Sequence, residues 1–386
     1  MGYTSPTSSV SVSVIANDDT WIESSAVAQL EKTAQLTGIT HAAGMPDLHP
    51  GRGYPIGAVF RSEGVIYPAL VGSDIGCGMS LWQTNLKSHR LNLDKLEKRL
   101  TGLDEPLDES WSDLIAEEQA ARGLARTGFD AALGTIGGGN HFAEFQQVDK
   151  VYCSDTATRL SLDPKALVLL VHSGSRGLGE KVLRDHVTAY SHDGLAEGSK
   201  AFAVYMHRHD EALRFAELNR LLIAKRMLDA LRADGTALLD VNHNLVTPFY
   251  GGWLHRKGAT PADCGPVVIP GSRGDFSYLV EPVSTESGVY SPTARSLCSL
   301  AHGAGRKWQR SECKGRLDKR YRVKDLERTR FGSRVICNDK GLIYEEAPEA
   351  YKQIDSVIAS LLDAGLVRLI ARFKPVITYK TRGRCC

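Results

Sequence analysis

The sequence lacks a long apolar run, a paired-cysteine motif and a marked excess of charge of either sign. No stretch approaches the ~18 apolar residues that a membrane-spanning helix needs, and the first residues are polar rather than an apolar signal stretch. None of the eight cysteines stands in a CxxC pair, so neither a zinc finger nor a disulfide framework is indicated. We therefore expect a cytoplasmic protein with reduced thiols and no membrane partner.

Two common nucleotide-binding motifs are also absent. The chain has neither a GxxxxGK[ST] loop nor a GxGxxG loop after a first strand. A nucleotide, if one is used, must be bound in another way. The net charge of +2 neither demands nor excludes nucleic acid. The segment 305–334 is crowded with Arg and Lys, and it is either a solvated surface with helical charge pairs or a surface that contacts RNA phosphates.

Short apolar runs alternate with helical patterns along the whole chain, which predicts a mixed α/β (α+β) fold. No repeat and no linker-like segment interrupts the 386 residues, so we expect one domain over 1–386. Leucines at helical spacing predict a long helical region at about 201–233 as an excursion from that domain. We expect a last helix near Tyr351 to Arg372, followed by a strand.

Residues with side chains that can bind metal ions occur in glycine-rich turns and directly after apolar runs. Asp74 and Cys77 stand three apart in "VGSDIGCGMS", and His141 lies in "GTIGGGNHF". His172 and His243 each follow an apolar run, where a buried strand is expected to emerge. Any one of these residues alone is typical of a purely structural role, and Cys77 could be a small buried hydrophobic residue. Together they form a mixed O/S/N donor set that suits Mn²⁺, Zn²⁺, Fe²⁺ or Co²⁺ rather than Ca²⁺ or Mg²⁺.

Four glycine-rich loops suggest a second component of the site. The stretches "GTIGGGN", "HSGSRGLG", "IPGSRGDFS" and "HGAGR" expose backbone N–H groups, often beside an arginine. Such loops bind anions, and arginine adds bidentate phosphate contacts. One such loop is weak evidence because many are only tight turns. Four of them beside a metal-type donor set favour phosphate or nucleotide chemistry.

These motifs together resemble one family. The chain contains, in order, "GMPDLHPGRGYPIG", "GSDIGCGM", "GGGNHFAE", "HSGSRGLG", "DVNHNLV", "HRKGA", "PGSRGDFSY", "HGAGR" and "TYKTRG". This set is similar to RtcB, the GTP-dependent RNA-splicing and RNA-repair ligase family, and it spans nearly the whole chain. The resemblance implies β-sheets and surrounding helices around a central active-site pocket, with two Mn²⁺ ions and GTP as cofactors.

The resemblance also implies a reaction. An RNA end that bears a 2′,3′-cyclic phosphate or a 3′-phosphate is joined to a 5′-hydroxyl end in RNA repair or tRNA splicing. The histidine of "HGAGR", His302, becomes guanylylated and passes GMP to the RNA 3′-phosphate, and Asp47 holds that histidine in the right tautomer. The resemblance implies metal ligation by Asp74, Cys77, His141, His172 and His243, with Cys77 as a bridge, and nucleotide contacts from Asn140, Glu144, Arg176, Ser272, Ser277, Arg306 and Lys380.

The sequence departs from the usual family pattern in ways that leave the natural substrate open but retain every catalytic position. The chain is short for the family and has Ala301 where a cysteine is frequent, features that resemble a shorter branch associated with a release-factor-like protein. Cleaved RNAs such as tRNA halves or damaged ribosomal RNA are the expected partners. Two other functions stay open from the residues alone: a metal-dependent phosphoesterase or nucleotidyl hydrolase, and a non-catalytic RNA-binding protein.

Overall fold

The secondary structure comes from a computed structural model that describes residues 10–100, 102–283 and 292–381. The strands are β1 (Ser11–Val14), β2 (Ile39–His49), β3 (Ile56–Ser62), β4 (Val65–Ile66), β5 (Gly78–Lys87), β6 (Phe142–Val151), β7 (Ala166–Ser173), β8 (Leu195–Ala196), β9 (Gly235–Asn242), β10 (Asn244–Phe249), β11 (Gly252–Lys257), β12 (Ala259–Pro261), β13 (Val267–Pro270), β14 (Ser277–Pro282), β15 (Ser299–Ala301), β16 (Arg334–Cys337) and β17 (Val367–Thr381). The helices are α1 (Ser24–Ala34), α2 (Leu93–Arg99), α3 (Ser112–Ala121), α4 (Ser154–Arg159), α5 (Gly177–Tyr190), α6 (Lys200–Leu231), α7 (Pro292–Arg295), α8 (Arg310–Leu317), α9 (Val323–Leu326), α10 (Lys340–Glu345) and α11 (Ile354–Asp363).

Two sheets carry most of the strands. The larger has the order β13-β14-β17-β6-β7-β5-β9, and β16 pairs in parallel with β17. The smaller has the order β1-β2-β3-β11-β10, with β1 parallel to β2. Two short pairs, β12-β15 and β4-β8, complete the strand pairing among the described residues. Strands and helices are both present along the whole chain, which confirms the predicted mixed α/β class.

Strand β7 explains why the sequence contains an uninterrupted apolar run. It lies between β5 and β6 in the larger sheet, and all its residues from Ala166 to Ser173 are buried. A strand covered on both faces has no need of polar alternation. His172 stands at its end, opposite Met79 on β5 and Phe142 on β6. The imidazole of His172 therefore lies where a buried central strand ends, as the sequence predicted.

Helix α6 covers the expected helical region. Ser199 caps its first turn by accepting a hydrogen bond from the backbone N–H of Phe202. Its apolar face packs on the larger sheet, where Ile223 and Met227 share a buried cluster with Leu167 and Leu169 of β7. The helix ends at Leu231, before Arg232 in the left-handed conformation. Within the part of the chain that the structure describes, no helix is both long and apolar enough to cross a membrane.

The predicted last helix is only partly right. Helix α11 ends at Asp363, and the chain turns at Gly365, which has a φ of +68°. Strand β17 begins at Val367, so the residues up to Arg372 that were expected to be helical are extended. The pairing of β17 with both β6 and β14 provides ladder hydrogen bonds along this stretch. Tertiary pairing therefore overrides a local pattern that fits a helix.

Candidate active site

A cavity of about 630 Å³ opens among the glycine-rich loops. Many of the residues singled out in the sequence line it, including Asp74, Cys77, Asn140, Glu144, His172, His243, Ser272, His302, Arg306 and Lys380. Their chain segments lie far apart in sequence and meet here because the loops follow strands of both sheets. The cavity is therefore the candidate active site.

At one end of the cavity the predicted donor atoms form two groups. Asp74, Cys77 and His141 offer one ligand atom each, and so do Cys77, His172 and His243. Within each group the atoms lie within 4.8 Å of one another. Cys77 belongs to both groups. A thiolate has several lone pairs, so this position suits a sulfur shared by two cations.

Distances within these groups are short. The Cys77 Sγ lies 3.1 Å from Nε2 of His172 and 3.4 Å from Nε2 of His141. Nε2 of His141 lies 2.8 Å from Oδ2 of Asp74. The Nδ1 atoms of His141 and His243 are buried and have no hydrogen-bond partner among the described residues. Donor atoms gathered this tightly, with two buried nitrogens left over, fit residues that hold a metal ion.

The protonation states of these residues agree with a metal-binding role. Burial, reinforced by the neighbouring Asp74 carboxylate, raises the pKa of the Cys77 thiol well above its usual value. Burial, with neighbouring imidazoles adding to it, lowers the pKa of His172 and of His243 well below the usual value. The imidazoles are therefore neutral and have a free lone pair for a metal. The thiol keeps its proton until a cation displaces it.

His302 lies beside this donor set. Its ring centroid is 4.9 Å from that of His243. Its Nδ1 lies 2.6 Å from Oδ2 of Asp47, which has no exposed surface. The same carboxylate oxygen accepts a hydrogen bond of 3.1 Å from the His302 backbone N–H. Asp47 thus binds the His302 backbone by a hydrogen bond and lies at ion-pair distance from the ring Nδ1. Nε2 is then the imidazole nitrogen available for chemistry.

Two glycines of the motifs are required by close approach. A Cβ on Gly174 would lie 2.1 Å from Oδ1 of Asp74. A Cβ on Gly305 would lie 2.3 Å from the carbonyl oxygen of Asp47, and Gly305 also has a φ of +71°. A larger residue at Gly174 would displace the Asp74 carboxylate, and one at Gly305 would displace the Asp47 backbone.

Another wall of the cavity carries a buried carboxyl group. Glu144 is 5% exposed, and burial raises its pKa to about 7 against the opposing hydrogen bonds from Thr378 and Gln146. Gln146 Nε2 donates to Glu144 at 2.6 Å and to Ser277 Oγ at 2.8 Å. Ser277 therefore acts on Glu144 indirectly, through Gln146. Of the predicted nucleotide contacts, Ser277 and Arg176 do not line the cavity, and of the other predicted site residues, Asp47 and His141 do not line it either.

Sequence reasoning missed a charged cluster around Glu346. Oε1 of this buried carboxylate accepts hydrogen bonds from Arg306 at 3.1 Å and from Arg310 at 2.8 Å. Its Oε2 accepts one from the Tyr351 hydroxyl and lies 3.4 Å from Nζ of Lys380. All five residues line the cavity. Burial alone would raise the pKa of Glu346, but the surrounding cations hold it at about 2.

A second missed residue is Lys352, which fixes the segment that carries Asp47. Its Nζ donates to the carbonyl oxygens of Pro46 at 2.9 Å and of Leu48 at 2.8 Å. These two residues flank Asp47. Lysine in "EAYKQID" carries no motif signal, so only the folded structure brings it to this place.

Comparison with known proteins identifies the arrangement. The family model described as "tRNA-splicing ligase RtcB" matches residues 29–121 and 114–381. The chain belongs to the RtcB family. It is 53% identical to "RNA-splicing ligase RtcB2" of Escherichia coli, over 96% of each chain. It is 32% identical to "tRNA-splicing ligase RtcB" of Archaeoglobus fulgidus, over 92% of this chain and 91% of that one. Membership of the RtcB family confirms the resemblance inferred from the motifs.

Replacing Cys77 tests whether the donor set of this RtcB-family site binds a metal. We expect Cys77→Ala to weaken Co²⁺ binding by about 10- to 100-fold or more, because both donor groups lose their shared atom. The thiolate-to-cobalt absorption band should disappear. In the wild type, Co²⁺ affinity should rise with pH, because the metal must displace the thiol proton.

Cys313 provides the matched control for this experiment. It is also fully buried but lies outside both donor groups, so Cys313→Ala should keep the cobalt band. A Cys77→Ala protein with wild-type Co²⁺ affinity would show that the thiol is not a ligand.

Replacing Glu346 tests the charged cluster. Its low pKa implies that the ionised carboxylate stabilises the fold by about 3 kcal/mol at neutral pH relative to its protonated form. We expect Glu346→Gln to lower the free energy of unfolding in urea by an amount of that order. Because the folded pKa is about 2 and the usual value is 4.5, the difference should be constant above pH 4.5 and shrink as the pH falls towards 2.

The neighbouring Glu345→Gln is the control for Glu346→Gln. Its partly exposed side chain pairs with Arg310 at 3.6 Å, so it should cost less than ~1 kcal/mol. Equal losses from the two variants, or a difference that persists at pH 2, would contradict the proposed role of the buried carboxylate.

Proposed function

We propose that this chain is a GTP- and Mn²⁺-dependent RNA ligase with His302 as its nucleophile. It joins RNA ends that bear a 2′,3′-cyclic phosphate or a 3′-phosphate to ends that bear a 5′-hydroxyl. The observation that carries the proposal is the placement of an Asp47-held histidine against a donor set in which two groups share Cys77. Membership of a family described as tRNA-splicing ligases supports the choice of RNA as substrate.

His302 suits covalent catalysis on phosphorus. With Nδ1 held by Asp47, the Nε2 lone pair attacks the α-phosphorus of GTP and forms a P–N bond. The bond from that phosphorus to the β-phosphate oxygen breaks, and pyrophosphate leaves. Asp47 stabilises the positive charge that develops on the ring. The phosphoramidate is reactive enough to pass GMP to a second acceptor.

The donor set provides the metal part of the site. One cation would be held by Asp74, Cys77 and His141, and a second by Cys77, His172 and His243. The mixture of oxygen, sulfur and nitrogen donors suits Mn²⁺ among the borderline ions. Bound here, the ions would neutralise charge on the phosphates and activate the attacking group. The cytoplasm is a suitable compartment, because a reducing environment keeps the Cys77 thiol free.

The far wall of the cavity suits the nucleotide. Glu144 offers a carboxyl group that can accept hydrogen bonds from guanine, which presents N–H donors that adenine lacks, and Ser272 and Lys380 lie on the same cavity. Ser277 acts through Gln146 on Glu144. Asn140 and Arg306 line the same cavity, which supports our assignment of phosphate contacts to them. We assign Arg176 a supporting role, because its guanidinium packs against Gly137 in the loop that carries Asn140.

The later steps follow from the intermediate. GMP passes from His302 to the RNA 3′-phosphate, which gives an activated diphosphate bond. The 5′-hydroxyl then attacks the RNA phosphorus, and GMP leaves. A 2′,3′-cyclic phosphate is first hydrolysed to the 3′-phosphate. We propose tRNA halves as substrates, in line with the name of the relative from Archaeoglobus fulgidus, and damaged ribosomal RNA as a second cleaved RNA with the same kinds of ends.

Labelling with GTP tests the nucleophile. Wild-type protein incubated with Mn²⁺ and α-labelled GTP should keep the label after denaturation, and His302→Ala should keep none. The exposed His207, whose side chain is 73% accessible, gives the control His207→Ala, which should be labelled like the wild type. Undiminished labelling of His302→Ala would refute this histidine as the nucleophile.

RNA sealing tests the overall reaction. Two RNA fragments, one with a 2′,3′-cyclic phosphate and one with a 5′-hydroxyl, should be joined only when GTP and Mn²⁺ are present. With Asp47→Asn, we expect sealing to slow by about 10²-fold or more, since the imidazole loses the carboxylate that orients it. Hydrolysis of the cyclic phosphate without any joined product, even with GTP, would favour the metal-dependent phosphoesterase instead.

A further inference from the structure

Helix α6 carries a fully buried arginine that faces the metal-type donor set. Arg220 has no exposed surface, and it lies near the middle of the helix. Its guanidinium reaches into the region where strands β5, β7 and β9 come together in the larger sheet. A charge that is fully buried needs a full set of partners, so the identity of those partners is informative.

The partners are the immediate neighbours of three predicted ligands. Nη1 of Arg220 donates to the carbonyl oxygen of Gly76 at 2.7 Å, and Gly76 precedes Cys77. The same nitrogen donates to the carbonyl oxygen of Ser173 at 3.0 Å, and Ser173 follows His172.

The third of these contacts reaches the end of β9. Nη2 of Arg220 donates to Oδ1 of Asn242 at 2.7 Å, and Asn242 precedes His243. One side chain therefore holds the segments of Cys77, His172 and His243, which make up one of the two donor groups.

The orientation of the guanidinium is itself fixed. Nε donates to Oδ1 of Asp240 at 3.0 Å and to Oδ2 at 3.1 Å, and Nη2 also donates to Oδ1. This planar fork cannot rotate without breaking several hydrogen bonds at once. Asn219, the preceding residue, adds bonds to Ser173 Oγ at 3.0 Å and to the Gly174 carbonyl at 3.2 Å.

We infer that Arg220 is a positioning residue that sets the spacing of Cys77, His172 and His243, so that their donor atoms can share one cation. This inference rests on the metal site of the proposed function and goes beyond it, because Arg220 belongs to neither donor group and does not line the cavity. The competing explanation is that Arg220 only stabilises the fold. The two differ in what happens to metal binding in protein that remains folded.

Arg220→Lys separates these explanations. Lysine keeps the charge but lacks the planar fork, so it cannot hold all three segments together. We expect Co²⁺ affinity to fall by about 10- to 100-fold, with a changed cobalt absorption spectrum, at temperatures where circular dichroism shows a folded protein.

Arg226→Lys is the matched control. Arg226 lies on the same helix and donates to four backbone carbonyls, those of Gly102, Leu103, Glu105 and Gly134. None of these residues adjoins a predicted ligand, so Co²⁺ binding should equal that of the wild type. A folded Arg220→Lys protein with wild-type Co²⁺ affinity and spectrum would overturn the inference.

A milder variant serves if Arg220→Lys does not fold. Asn242→Ala removes the Arg220 contact beside His243 and the hydrogen bond from Asn242 Nδ2 to Oε1 of Glu217 at 3.0 Å, but it leaves the other Arg220 contacts in place. It should weaken Co²⁺ binding and alter the spectrum with less loss of stability than Arg220→Lys. Unchanged Co²⁺ binding by Asn242→Ala would then overturn the inference.

The wild type distinguishes a failed inference from a failed function, because Co²⁺ binding requires neither GTP nor RNA. A wild type that binds no Co²⁺ would refute the metal site and this inference together. A wild type that binds Co²⁺ but is never guanylylated would refute the ligase, while the variants would still decide the role of Arg220.

Discussion

The guanidinium of Arg220 is a full positive charge with no exposed surface. It donates hydrogen bonds to the residues next to Cys77, His172 and His243, which make up one of the two donor groups. Burial of such a charge is tolerated only when its hydrogen-bonding capacity is satisfied. Here the acceptors are backbone carbonyls and polar side chains next to Cys77, His172 and His243. The contacts that hold helix α6 against the larger sheet are therefore the same ones that would set the spacing of these proposed ligands.

The cavity has two electrostatically different ends. At one end, neutral buried imidazoles and a protonated thiol lie beside Asp74, an arrangement suited to an incoming cation. At the other, Glu346 fixes arginines and a lysine whose positive charges exceed its own. The proposed nucleoside triphosphate and RNA phosphate are both highly anionic. The arginines and lysine would offset part of their charge directly, and the donor end would do so once it holds a cation. His302 stands next to His243, where the phosphorus to be attacked would be surrounded by positive charge.

Much of this arrangement could be predicted from the sequence, because it follows from local patterns. The apolar run of strand β7 indicates a buried strand. Asp74, Cys77 and His141 lie in glycine-rich turns, and His172 and His243 follow apolar runs, so each donor has a local signal. Glu346 and Lys352 could not be predicted, since they act through partners more than thirty residues away. Arg220 left a faint signal: it lies four residues from Ala216 and from Ala224, both on the buried face of the helix. A charged residue on an apolar face indicates a buried partner, but not which one.

The sharing of Cys77 by two cations is the central claim, and anomalous X-ray scattering from crystals grown with Mn²⁺ tests it most directly. We predict two anomalous peaks, each from a Mn²⁺ ion within bonding distance of the Cys77 Sγ. One ion should also be bound by Asp74 and His141, and the other by His172 and His243. A single peak, or peaks that do not include the Cys77 sulfur, would contradict the shared site.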